Sequence, residues 1–144
     1  MAHPKPVRLV RQVPAPQKAV FEAWLDPKRL ARFMIPAPGM GLGEVRVDPR
    51  VGGKFRIEMI AGETHMPHDG EYLEIERHRR LVFTWLSAHT GESRTVVTLT
   101  FEELGPRNTR VTLEHVGLPT EEAYASHEGG WTHILEVLVK ELAA

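Results

Sequence analysis

The chemistry open to this chain rests on a few histidines, one tyrosine and one glutamate, and their phase against apolar neighbours decides which can face an interior. His115 shares the alternation phase of Val111 and Leu113, so a strand there aims it inward and Glu114 outward. An inward imidazole is most often a satisfied core residue, because buried polar groups usually find partners. Its sharper use is as a polar contact for a ligand carbonyl, hydroxyl or acid. His127 precedes Trp131 by one helical turn, which puts the two on one face of a helix. Tyr72 and Glu74 share a strand face opposite Leu73 and Ile75. Simple alternation turns the apolar pair inward, and only a bulge would reverse that phase. A carboxylate brought into an apolar pocket would have a raised pKa and could serve as general acid or base.

Other constellations carry less. His65-Met66-Pro67-His68-Asp69 suggests metal ligands, but Pro67, Gly62 and Gly70 read as a hairpin loop, where neighbouring histidines are solvated. Ligation also needs an oriented second shell, which this spacing does not specify. Gly39-Met40-Gly41-Leu42-Gly43 fails as a dinucleotide loop, since helix precedes it and strand follows. No P-loop or GxSxG elbow is present, and without cysteine there is no disulfide, thiolate zinc site or thiol catalysis. Lys and Arg number 18 against 19 Asp and Glu, a mixed balance that argues against a nucleic-acid binder. The amino terminus has no apolar leader and no stretch is long enough to span a membrane, so the expectation is a cytoplasmic protein without membrane insertion.

The elements that must position these residues follow from periodicity. At 144 residues the chain suits one domain with a sizeable core. Val7 to Val13 reads as a strand, stopped by Pro14-Ala15-Pro16. A helix from about Pro16 to Leu25 carries Val20, Phe21, Trp24 and Leu25. Asp26-Pro27 caps a second helix bearing Leu30, Phe33 and Met34, ended by Pro36 and Pro38. From Glu44 the period becomes two. Strands are expected at Val45 to Val47, Lys54 to Met59, Gly70 to Glu76, Leu81 to Ser87, Ser93 to Glu103 and Thr109 to Val116, with hairpin-sized links. Such links make an antiparallel meander. Thr120 caps the last helix, whose greasy face is Trp131, Ile134, Leu135, Leu138 and Leu142. Gly129-Gly130 interrupts it, implying either a break or the approach of another backbone or a ligand too close for a Cβ. A sheet of this length curls, and its inward face exceeds what one helix covers, so a cavity is a natural consequence; a fully packed core is the alternative that composition favours.

These strings, in this order, resemble a known family. DPRVGGKFRIEM, GEYLEIERHRRLVFTW, TVVTLTFEELG, NTRVTLEHVGLP and HEGGW are similar to the START-like (SRPBCC) helix-grip superfamily, most of all to bacterial single-domain homologues of the heat-shock ATPase activator. The resemblance spans Val7 to Leu142. It implies an α+β helix-grip fold: a curved antiparallel sheet of six or seven strands, two short helices and a long carboxy-terminal helix around a hydrophobic cavity. It implies binding of a lipid, polyketide or other apolar molecule, without cofactor or metal. The expected walls are Trp24, Phe33, Met34, Phe55, Ile57, Met59, Trp85, Leu99, His115, His127, Trp131 and Leu135, with Tyr72 and Glu74 retained on the resemblance. Phe33 stands where relatives often carry tryptophan, which implies a more open rim. Eukaryotic activators have a further amino-terminal domain, for which 144 residues leave no room, and this argues against direct chaperone stimulation. Two alternatives stay open: a cyclase or hydrolase using His115, Glu74 or Tyr72, and a chaperone-associated protein-binding module. The strand Val7 to Val13, if at an edge, could pair two subunits as a homodimer.

Overall fold

Branched residues make β1 (Val7–Val13), and the prolines that follow end it. Pro16 then precedes α1 (Gln17–Ala23), shorter at both ends than its apolar pattern suggests, with Trp24 and Leu25 buried just past it. Asp26 caps α2 (Pro27–Phe33) by accepting the Lys28 N–H at 2.9 Å, as its sequence position predicts. A meander follows: β2 (Gly41–Val47), β3 (Lys54–Ala61), β4 (Thr64–Glu76), β5 (Arg80–Trp85), β6 (Thr95–Gly105) and β7 (Asn108–Val116). The chain ends in α3 (Glu121–Leu142). This computed structural model describes residues 5–91 and 93–143. Residues 1–4 of the amino-terminal stretch, Glu92 and Ala144 lie outside them.

The seven strands form one antiparallel sheet in the order β1-β7-β6-β5-β4-β3-β2, so β1 closes the meander against β7 and forms one edge. The sheet curls around α3 in the α+β helix-grip arrangement. The apolar residues expected on its inward face in β3 and in β5 to β7, from Phe55 through Trp85 and Leu99 to Leu113, are buried, whereas Leu73 and Ile75 of β4, which simple alternation turns inward, are only half-buried. Ala123, Trp131, Ile134, Leu135 and Leu138 face them from α3.

Two expectations are corrected. The segment His65 to Asp69 is strand, not loop: β4 runs 13 residues and pairs with β3 from Thr64 onward. Its first residues lie beyond the end of β5, so only one side is paired and the N–H that Pro67 lacks is not needed. Asp69 faces outward to grip Arg56 through two hydrogen bonds of 2.8 and 3.1 Å, which turns His68 inward. The second correction is that α3 runs unbroken through Gly129-Gly130. A Cβ on Gly129 would meet nothing within 4 Å, and one on Gly130 only Pro36 Cβ at 3.4 Å, so neither glycine is needed for the close approach of another backbone. Burial of the residues that follow offsets their helical cost.

Gly70 is the opposite case, because its Cβ would lie 2.1 Å from the Thr84 carbonyl and 2.3 Å from the Phe55 ring. Gly129→Ala is therefore expected to stabilise the fold by about 0.5–1 kcal/mol in urea denaturation. Gly70→Ala is expected to destabilise it by at least about 2 kcal/mol, since backbone and ring must both shift. Equal effects of the two would contradict this packing.

Candidate functional site

Trp131, immediately after the glycines, is where α3 meets the sheet. Its indole N–H donates to His115 Nδ1 at 2.9 Å. An indole can only donate, so His115 Nδ1 carries a lone pair and the proton sits on Nε2. That nitrogen lies 3.0 Å from Thr95 Oγ1, and the Thr95 hydroxyl in turn donates to the Trp85 carbonyl. The relay is buried and every member is satisfied. Burial lowers the His115 pKa to about 3, with nearby His127 adding to the effect. His115 is thus a core residue that links α3 to β7, β6 and β5, and it does not border the open space described next.

That space is a cleft of about 550 Å³ between the sheet and the first half of α3. Met59 on β3, Met66 and His68 on β4, and Trp85 on β5 form one wall. His127, Gly129, Gly130, Trp131, His133 and Ile134 form the helical wall, and the loop Pro36–Met40 with His89 forms the rim. Four of its lining residues are imidazoles, and no Asp, Glu, Lys or Arg lines it. His68 Nδ1 donates to the Met66 carbonyl at 2.9 Å, and its ring lies tilted against Trp85 with centroids 5.0 Å apart. Burial lowers its pKa to about 4, opposed in part by that carbonyl and, more weakly, by the Ile57 backbone. His127 Nδ1 donates to the Ala123 carbonyl one turn back at 2.7 Å, and burial lowers its pKa as well. His133 Nδ1 donates to the Ile35 carbonyl at 2.6 Å, tying α3 to the loop after α2. Both His68 and His127 are therefore neutral at pH 7 with the proton on Nδ1.

Of the expected wall, Met59, Trp85, His127 and Trp131 meet at this cleft. Trp24, Met34, Phe55, Ile57 and Tyr72 instead surround a void of only about 10 Å³ on the far side of Trp85, roughly one water in size. Trp24 and Trp85 both line it, and their buried indole N–H groups have no hydrogen-bond partner among the described residues. Leu99 and Leu135 are packed core. Phe33 is buried edge-on to Trp24, with ring centroids 4.9 Å apart, so it does not open the cleft's rim.

Tyr72 and Glu74 are separated by a register shift in β4, the bulge that alternation could not foresee. Tyr72 is turned inward and buried, and burial raises its pKa. Glu74 pairs with Arg80 at 3.2 Å on the half-exposed outer surface, far from a role as a buried acid or base. The residues that sequence reasoning missed are Met40, Met66, His68, His89, His133 and Ile134. For Ile134 a signal existed: it falls one helical turn after Trp131 and Gly130 on the face that carries His127.

With this geometry established, known proteins offer comparison. A family profile described as "Activator of Hsp90 ATPase homolog 1-like protein" matches residues 14–143. No curated protein matches the chain. Among solved structures, a protein from Chromobacterium violaceum superposes with a TM-score of 0.87 at 26% identity, covering 98% of this chain and 99% of that one. The AHSA1 protein from Silicibacter pomeroyi is similar at a TM-score of 0.80 and 28% identity, over 94% of this chain and 96% of that one. An HSP90 activator from Plasmodium falciparum, 23% identical with a TM-score of 0.77 over 96% of both chains, shares the fold.

The relay and the void predict contrasting substitutions. Trp131→Phe orphans His115 Nδ1 and is expected to cost about 1–3 kcal/mol beyond its lost area, whereas Trp24→Phe removes a donor that was already unpaired and should cost less. Thermal or urea unfolding of the two variants measures the difference. The same histidines set a pH dependence. His115 and His68 have folded pKa values lowered to about 3 and about 4, so the unfolded chain binds protons first as the pH falls below about 6.5. Their contribution is whole above that pH. It is lost on acidification at about 1.4 kcal/mol per pH unit for each group, until the folded pKa is reached. Urea unfolding at pH 7.5 and pH 5 should show it, and His115→Gln should make the loss shallower.

Proposed function

The chain belongs to the Activator of Hsp90 ATPase homolog 1-like family, and we propose that it binds an apolar small molecule in the cleft between sheet and α3. The observation that carries this reading is the cleft itself. In a domain whose core is otherwise closed, about 550 Å³ stands open against Met59, Trp85, Trp131 and Ile134, within the size range of small-molecule sites. Burying ligand area there would supply roughly 25 cal/mol per Å² before ordering costs. The family supports either a ligand-binding module or one of the Hsp90-activator type. A concave apolar cleft of this size favours the first. Catalysis by the tyrosine–glutamate pair finds no support, since Tyr72 lies in the packed core beyond Trp85 and Glu74 on the outer surface.

Native mass spectrometry of the protein purified without added ligand, compared with the denatured sample, tests the reading directly. A discrete extra mass that leaves on denaturation is the expected result. Hydrogen exchange adds the location: the loop Pro36–Met40 and residues 125–130 of α3 should exchange faster than β5 to β7, and slow when an apolar ligand is present. Protection confined to the outer face of the sheet would assign the binding elsewhere.

A further inference from the structure

The hydrogen-bonding sign of the cleft can be read from where its histidines spend their protons, and this rests on the cleft being the binding site. A carbonyl oxygen only accepts, so the ring nitrogen beside it must carry hydrogen. His127 gives its Nδ1–H to Ala123 and His68 gives its Nδ1–H to Met66. In a neutral ring the other nitrogen is then a bare lone pair. Nε2 of His127 on the helical wall and Nε2 of His68 on the sheet wall are therefore acceptors. Among the described residues lining the cleft there is no lysine or arginine to balance an anion. Trp131, the one indole there with a defined partner, has its N–H committed to His115. Aromatic and thioether side chains of Trp85, Trp131, Met59 and Met66 supply the rest of the contact surface, which suits a flat, polarisable body.

We propose that the cleft selects neutral, largely aromatic ligands that present a hydroxyl or N–H donor, accepted by Nε2 of His127 and His68, over carboxylates of the same shape. A carboxylate would set its charge against two lone pairs and lose its hydration in a cleft that offers it no lysine or arginine. A ligand hydroxyl satisfies an acceptor that would otherwise be left dry once the cleft is filled. An ether of the same shape fills the space and leaves that acceptor unpaired.

Three fluorescent probes of one shape decide it: hydroxypyrene, methoxypyrene and pyrenecarboxylate, titrated by anisotropy against the full chain at pH 7. Hydroxypyrene is expected to bind roughly threefold to tenfold more tightly than methoxypyrene, the effect of one hydrogen bond, with the carboxylate weakest. His127→Phe and His68→Phe keep ring volume while removing the acceptor. Each should reduce the hydroxyl advantage, read as the ratio of hydroxypyrene to methoxypyrene affinity in the same variant. Equal affinity for hydroxyl and ether, or tightest binding of the carboxylate, overturns the proposal while leaving the cleft as a binding site. A hydroxyl advantage that survives in both variants also overturns it. Failure of all three probes to bind the folded wild-type chain would instead remove the binding site on which the proposal rests.

Discussion

The fold turns on one relay: Trp131 N–H to His115, His115 to Thr95, and Thr95 to the Trp85 carbonyl. It crosses from α3 through β7 and β6 to β5, so one set of hydrogen bonds fixes the height and rotation of the helix over the sheet. Each member constrains the next. The indole can only donate, which sets the imidazole tautomer, and that tautomer sets which way the threonine hydroxyl must point. The relay works only with a neutral histidine, which is the state that burial enforces. Apolar packing alone would hold α3 against the sheet but would let it slide, because hydrophobic burial has no direction.

Seating the helix at Trp131 divides it. Downstream, Leu135 and Leu138 press into the core and leave no room. Upstream, Ala123 is buried, but Ala125, Ser126, Glu128 and Gly129 stand exposed and His127 is only half-buried. That half passes over the part of the sheet where β4 outruns β5, so the surface beneath it is thioether and imidazole with few neighbours. The cleft follows from the mismatch between a straight helix held at one point and a sheet whose strands end at different lengths. The loop Pro36–Met40 fills part of it, anchored where His133 donates to the Ile35 carbonyl. Gly129 and Gly130 keep the helical wall low at this place, since a larger side chain at Gly129 would project into open space rather than into a neighbour.

Local rules made much of this legible. Two capping residues, Asp26 and Thr120, stand where their sequence context places them, and both accept the expected backbone N–H. The alternation that aimed His115 inward holds because β7 is regular from Asn108 to Val116. What failed is what depends on how strands pair. Tyr72 entered the core and Glu74 did not, because a bulge absorbs Leu73, and no period within β4 announces it. His68 read as solvated because Pro67 and flanking glycines look like a turn; only the knowledge that β5 stops short makes a proline harmless there. The cavity wall was misread for a similar reason. Alternation tells which residues face inward, but not that the Trp85 ring stands between an open cleft and a nearly closed void, which is decided by side-chain packing across four strands.

The contrast between His115 and the cleft histidines shows how one residue type acquires two roles by backbone geometry. His115 has both nitrogens engaged by side chains, Nδ1 by Trp131 and Nε2 by Thr95, so nothing remains to meet a ligand. His127, on a helix, reaches the carbonyl one turn back, and His68, on a strand with one unpaired side, reaches the carbonyl two residues back. In both the nearest carbonyl belongs to the element itself, and it takes the Nδ1 proton without help from any other side chain. The lone pair at Nε2 is then a product of secondary structure. The polarity of the cleft thus comes from a helix and a strand that each satisfy a carbonyl, with no charged group brought in to set it.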